Sequence, residues 1–145
     1  MTATAFTPLQ SRIIAAVEER LPSYQEAALA IHARPETSDE EVFASSTLIG
    51  LLEKEGFAVE KGVAGHRTGF IARYRSARPG PVIGMLAEYD ALPGMGHACG
   101  HNILGCSASI AGVASSAAPA RKAARTAAPS TPTPKRGSSP TSTRP

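Results

Sequence analysis

From Ala114 to the last residue the sequence offers nothing that a hydrophobic core could bury. Ala, Ser, Pro, Thr, Arg, Lys and a single Gly make up the whole stretch, with no Val, Leu, Ile, Met or aromatic side chain. Such a segment cannot offset its ordering entropy by apolar burial, so it is expected to be disordered. Whatever folds in this 145-residue chain is therefore expected within residues 1–113, which is enough for one domain. Charge divides at the same place. All 12 acidic residues precede position 91, whereas 6 of the 15 Lys and Arg follow position 113, so the net charge of +3 belongs to the tail. Two compositionally different pieces are expected, 1–113 and 114–145. Every residue type in the second has GC-rich codons and the change falls inside a helical pattern. Those two facts favour a shifted reading frame over a natural Pro/Ser/Thr-rich tail.

Several classes drop out on composition. Two cysteines, Cys99 and Cys106, are too few for a disulfide scaffold and point to a reducing compartment. The opening MTATAFTPLQ has neither a basic n-region nor an apolar h-region, so no signal peptide is expected. No run approaches the roughly 18 apolar residues of a membrane span. A cytoplasmic, soluble protein that does not engage membrane is the expectation.

Along the chain, Thr7-Pro8 reads as a helix start, a hydroxyl N-cap followed by proline at the first helical position. Ile13, Ile14, Ala16 and Val17 continue it, and Pro22 is expected to interrupt it before a second piece over 23–33. Ser38 to Glu41 has the S-x-x-E pattern of a capping box and opens a helix that Gly56 ends. Three strand-like runs follow, Phe57–Val63, Thr68–Tyr74 and Pro81–Ala87, and a helical pattern resumes at Asn102. This order predicts an α/β fold with helices packed on an open sheet. Its third strand would deliver a ligand loop at its C-terminal end, where sites in such sheets commonly lie.

That loop is MLAEYDALPGMGHACGHNILG, Met85–Gly105. Glu88 and Asp90 close an apolar run, a Pro-Gly turn follows, and His97, Cys99 and His101 arrive within five positions. Cys99 and His101, two apart, project the same way from extended backbone, and a thiolate with an imidazole suits zinc or a neighbouring ion. Asp90 and Glu88 would serve as ligands or as acceptors that fix an imidazole tautomer. The same residues also suit a buried thiol beside a hydrogen-bonded histidine. His97 is expected to stand behind the ligands or face solvent, Cys106 to pack as a small apolar residue, and His66 to sit in a turn without a role. The glycines at 94, 96 and 100 miss the G-x-G-x-x-G spacing by one and no acidic residue follows, so a dinucleotide loop is a poor fit. A cysteine nucleophile would need a base from elsewhere in the fold, and Cys99 has only near neighbours.

AEYDALPGMGHACGHN closely resembles the metal-site segment of the M20 peptidase family, in the amidohydrolase branch of aminoacylase-like, hippurate-type and aminobenzoyl-glutamate hydrolases. Upstream, IHARPETSDEEVFAS resembles the helix-loop signature of that branch, with His32, Pro35 and Glu36 in place. The resemblance spans roughly residues 10–113 and implies the N-terminal part of a metallopeptidase-like catalytic domain. It implies Cys99 and His101 as two ligands of a two-metal centre, zinc or manganese, with Asp90 as the acidic catalytic residue beside them. Glu88 stands where other branches place a metal-binding histidine. The implied chemistry is cleavage of an N-acyl amino acid or short peptide by a metal-activated water. A homodimer is implied for full-length members. The family's Glu-Glu pair, which supplies the general base, and its later histidines have no counterpart after residue 113, so no general base is expected in this chain and activity should be weak or absent. Two other classes compete. One is a non-catalytic binding or regulatory module on the same fold. The other is electrostatic contact of the basic tail with nucleic acid or an anionic surface, which without aromatic residues would be unspecific.

Overall fold

The first helix begins where its hydroxyl and proline require. In the computed structural model, which describes residues 5–77 and 79–117, α1 spans Pro8–His32. Thr7 and Gln10 cap it reciprocally: the Gln10 N–H donates to Thr7 Oγ1 at 3.3 Å and the Thr7 N–H to Gln10 Oε1 at 2.8 Å. Pro22 does not break α1, contrary to the expectation from sequence. A proline inside a helix costs about 3 kcal/mol. Here it lies on an exposed stretch, while Ala16 before it and Tyr24, Ala27 and Ile31 after it are buried. Packing on one face holds both halves in line.

Helix α2 (Val42–Lys54) departs from the expected capping box. Its N-cap is Glu41, which makes no capping bond, and Ser38 makes none either among the described contacts. The Glu36 carboxylate reaches across instead, accepting the Phe43 N–H on both oxygens at 2.9 Å and the Ala44 N–H at 2.9 Å. Glu41 is buried and accepts a hydrogen bond from the Thr68 hydroxyl. At the other end Gly56 takes φ +83°, as expected of a residue that stops a helix. Strands β1 (Ala58–Lys61) and β2 (Phe70–Arg73) form an antiparallel pair with Ala58 opposite Arg73 and Lys61 opposite Phe70. Helix α3 spans His101–Ser116. It runs past Val113 into the segment that composition sets apart, and residues 118–145 of that segment lie outside the described residues.

The fold is α/β, with three helices and a two-stranded sheet among the described residues. Its core is the seam where Tyr24, Ala27 and Ile31 of α1, Ala44 and Leu48 of α2, and Cys106 and Ile110 of α3 meet. Cys106 packs there as the small apolar residue expected, its thiol pushed up to about 11 by burial. Asn102, also buried, donates through Nδ2 to the Ala28 carbonyl at 3.1 Å and pins the first turn of α3 to α1.

The third expected strand is absent. Pro81–Ala87 has no ladder partner among the described residues, and Val82 and Leu86 are 99% and 93% exposed. An apolar, β-prone run becomes a strand only beside a hydrogen-bonded neighbour, and β1 and β2 pair with each other instead. The ligand loop is thus delivered by irregular backbone rather than by a strand end.

Candidate active site

What fixes that backbone is Tyr89. Its ring stacks on Phe70 with centroids 5.8 Å apart, and its hydroxyl donates to the Thr68 carbonyl at 2.8 Å. Burial, with the Glu41 charge adding to it, pushes the phenol up to about 12, so it remains a donor. With Tyr89 turned to the sheet, its neighbours Glu88 and Asp90 both reach His101 at the start of α3.

A tight reversal follows. Leu92 and Gly96 exchange backbone bonds at 2.9 and 3.1 Å, and the Gly100 N–H closes a second turn on the His97 carbonyl at 3.0 Å. Gly94, Gly96 and Gly100 all have positive φ, from +59° to +81°, which only glycine adopts without strain. Gly100 is the N-cap of α3, so His101 is the first helical residue.

His101 is the centre of the cluster. Its Nδ1 lies 2.8 Å from Asp90 Oδ1 and its Nε2 3.1 Å from Glu88 Oε2. The ring is three-quarters buried, Asp90 is similarly enclosed, and Glu88 is 66% exposed. The structure therefore brings Glu88, Asp90 and His101 together. Cys99 is a free, exposed thiol in the turn before His101. Because the left-handed Gly100 separates Cys99 from the helix, the extended backbone expected between Cys99 and His101 is not what links them.

Of the two placements expected for His97, behind the ligands or facing solvent, its burial excludes the second, and its ring packs on that of His32 with centroids 6.2 Å apart. Neither ring nitrogen completes a hydrogen bond among the described residues. Burial first, then the neighbouring His32, holds its pKa below the ordinary 6.5, against an opposing pull from the Ile31 carbonyl. His66, expected to have no role, meets Asp39 at 2.8 Å on the surface.

Spacing gave no warning of Glu36. Besides capping α2, its backbone carbonyl accepts the Ala91 N–H at 2.7 Å, one residue past Asp90. Its carboxylate acts on residues seven and eight positions away, beyond any local capping pattern.

No family model matches the chain. Among curated proteins it is 35% identical over 116 residues to a p-aminobenzoyl-glutamate hydrolase polypeptide of Escherichia coli (strain K12), covering 68% of this chain and 24% of that one. It is 42% identical over 86 residues to the Xaa-Arg dipeptidase of Homo sapiens, covering 52% and 20%. A third relative, thermostable carboxypeptidase 2 of Saccharolobus solfataricus, is 35% identical over 86 residues, covering 50% and 22%. These relatives are M20-family proteins, which the chain resembles over about half its length. The chain spans a quarter or less of the length of these relatives.

A divalent ion, which the resemblance implies, suits these donors in kind. The thiol of Cys99 and the imidazole of His101 are zinc-type ligands, and a carboxylate behind Nδ1 is the usual support of a metal-binding histidine. The set is partial. Among the described residues no three His, Cys, Asp or Glu side chains gather to hold one ion. No helix among them is long and apolar enough to cross a membrane.

Proposed function

We propose that this chain supplies Asp90, Cys99 and His101 to the metal centre of an M20-type amidohydrolase acting on the amide bond of an N-acyl amino acid or short peptide. The observation that carries the proposal is the Asp90–His101 contact of 2.8 Å at Nδ1. A carboxylate at Nδ1 holds that nitrogen as the N–H donor and leaves the lone pair on Nε2. The relatives, a hydrolase of p-aminobenzoyl-glutamate, a dipeptidase and a carboxypeptidase, support the substrate class. Divalent ions bound there supply Lewis-acid polarisation and an activated water. The residues of this chain orient and ligate. Asp90 fixes the His101 tautomer, Cys99 offers a thiolate, and exposed Glu88 can swing away from Nε2 or stay beside it. No acidic residue or histidine follows His101 to act as general base. The chain alone is therefore expected to bind metal with little or no hydrolysis.

Titration with Co²⁺ tests this directly. Wild type should show a thiolate-to-cobalt absorption band that Cys99→Ser removes, His101→Ala should weaken binding, and Asp90→Asn should weaken it about 10–100-fold. Hydrolysis of p-aminobenzoyl-glutamate should stay at background. Cobalt binding indifferent to Cys99 and His101 would refute the metal assignment, and metal-dependent turnover would refute the inactivity of the chain alone. The partial donor set favours one second reading, a non-catalytic binding or regulatory module of the same fold. Tight binding of amide substrate without added metal would select it.

A further inference from the structure

The end of α1 and the connection to α2 touch the ligand loop at three places. The His32 ring packs on His97, Pro35 lies beneath Gly96 so that a Cβ there would meet it at 3.8 Å, and the Glu36 carbonyl takes the Ala91 N–H at 2.7 Å. Only the last adjoins a residue of the Glu88–Asp90–His101 cluster. Ala91 is 2% exposed, so its N–H has no access to water and depends on that carbonyl.

What orients the Glu36 carbonyl is the side chain of the same residue. Its carboxylate is held by the Phe43 and Ala44 N–H groups at 2.9 Å, charge-assisted bonds at the positive end of a helix. Those N–H groups have no other side-chain acceptor among the described residues. The first turn of α2 carries no acidic residue, its N-cap makes no capping bond, and the Glu41 carboxylate is engaged with Thr68. One residue thus grips α2 with its side chain and the ligand loop with its backbone. We infer that Glu36 is a positioning residue, which sets the place of Asp90 against His101 by clamping Ala91 to the N-terminus of α2. It acts through the loop and touches neither His101 nor Asp90. The inference rests on reading the Asp90–His101 contact as part of the site, yet its test needs neither metal nor substrate.

The experiment compares the full chain with Glu36→Ala, Glu36→Gln and Arg20→Ala by proton NMR and hydrogen exchange. Arg20→Ala removes the 2.8 Å tie to Glu55 at the far end of α2 and serves as a control for general destabilisation. The readouts are the low-field Nδ1–H of His101, sheltered by its bond to Asp90, and the Ala91 amide. Glu36→Ala should abolish the His101 signal and speed exchange at Ala91 about fivefold or more. Glu36→Gln, which keeps one accepting oxygen, should retain a weakened signal and so rescue in part. Arg20→Ala should leave both readouts as in wild type. If Glu36→Ala fails to fold, Glu36→Gln decides alone, a wild-type signal and exchange rate overturning the proposal. Faster exchange at Phe43 and Ala44 with His101 and Ala91 unchanged would also overturn it, because Glu36 would then be a helix cap and nothing more. Absence of cobalt binding by the wild-type chain, with the Glu36 variants behaving as expected in both readouts, would instead refute the metal reading alone.

Discussion

Two glycines in α3 have opposite surroundings and should respond oppositely to the same substitution. A Cβ on Gly112 would meet nothing within 4 Å, whereas one on Gly105 would lie 3.1 Å from the Glu88 carbonyl oxygen, the Tyr89 Cβ and Leu48 Cδ1. Replacing glycine by alanine inside a helix gains about 1 kcal/mol from backbone entropy. Gly112→Ala should realise that gain and raise the melting temperature by roughly 4–8 °C. At Gly105 the same gain meets an overpacking cost of about 1–3 kcal/mol. Leu48 is fully buried, and Tyr89 is tethered to Thr68 and Phe70, so neither can yield freely. The net expectation is a loss of about 1 kcal/mol, leaving the two variants roughly 2 kcal/mol apart. Thermal and urea unfolding followed by far-ultraviolet circular dichroism measures both. If Gly105→Ala stabilises as much as Gly112→Ala, then α3 does not lie against the Glu88–Tyr89 backbone and the argument for the site geometry fails with it.

Tyr24→Phe should raise stability by about 1 kcal/mol in urea titration, because the hydroxyl is buried without a hydrogen-bond partner among the described residues. Iodoacetamide should label Cys99 alone in the native protein, since the Cys106 thiol is buried and held at about 11; equal labelling of both would contradict the packing of α3. The folded-state pKa of His97 is depressed, so its contribution to stability is complete above the ordinary 6.5 and is lost as pH falls through the folded value. His97→Gln should therefore flatten the decline of stability on acidification below that pH, and an unchanged slope would show that His97 is not the group responsible.

Features determined by near neighbours in sequence were legible before the fold was known. The Thr7–Pro8 start and the stop at Gly56 turn on contacts within a few residues, and the two strands carry their signal in their own run of side chains. Readings failed where a distant partner decides. Pro22 is carried by packing against α3, and the start of α2 is capped from Glu36 rather than Ser38. Pro81–Ala87 has the composition of a strand but no neighbour among the described residues. At the site, the sequence order places Glu88, Asp90 and His101 in one short stretch, and the structure brings these three side chains together. The burial of His97 against His32 was not legible, because it depends on the end of α1 folding back onto the loop.

The stretch from Val82 to Leu86 carries a consequence for the life of the chain in a cell. Val82, Ile83, Met85 and Leu86 are all exposed, with free backbone on a run rich in β-forming side chains. Chaperones and proteases sample such segments first, and like segments on two molecules can stack into intermolecular ladders. Abundance would then be governed by how quickly this short stretch is covered or cut rather than by the stability of the helical core.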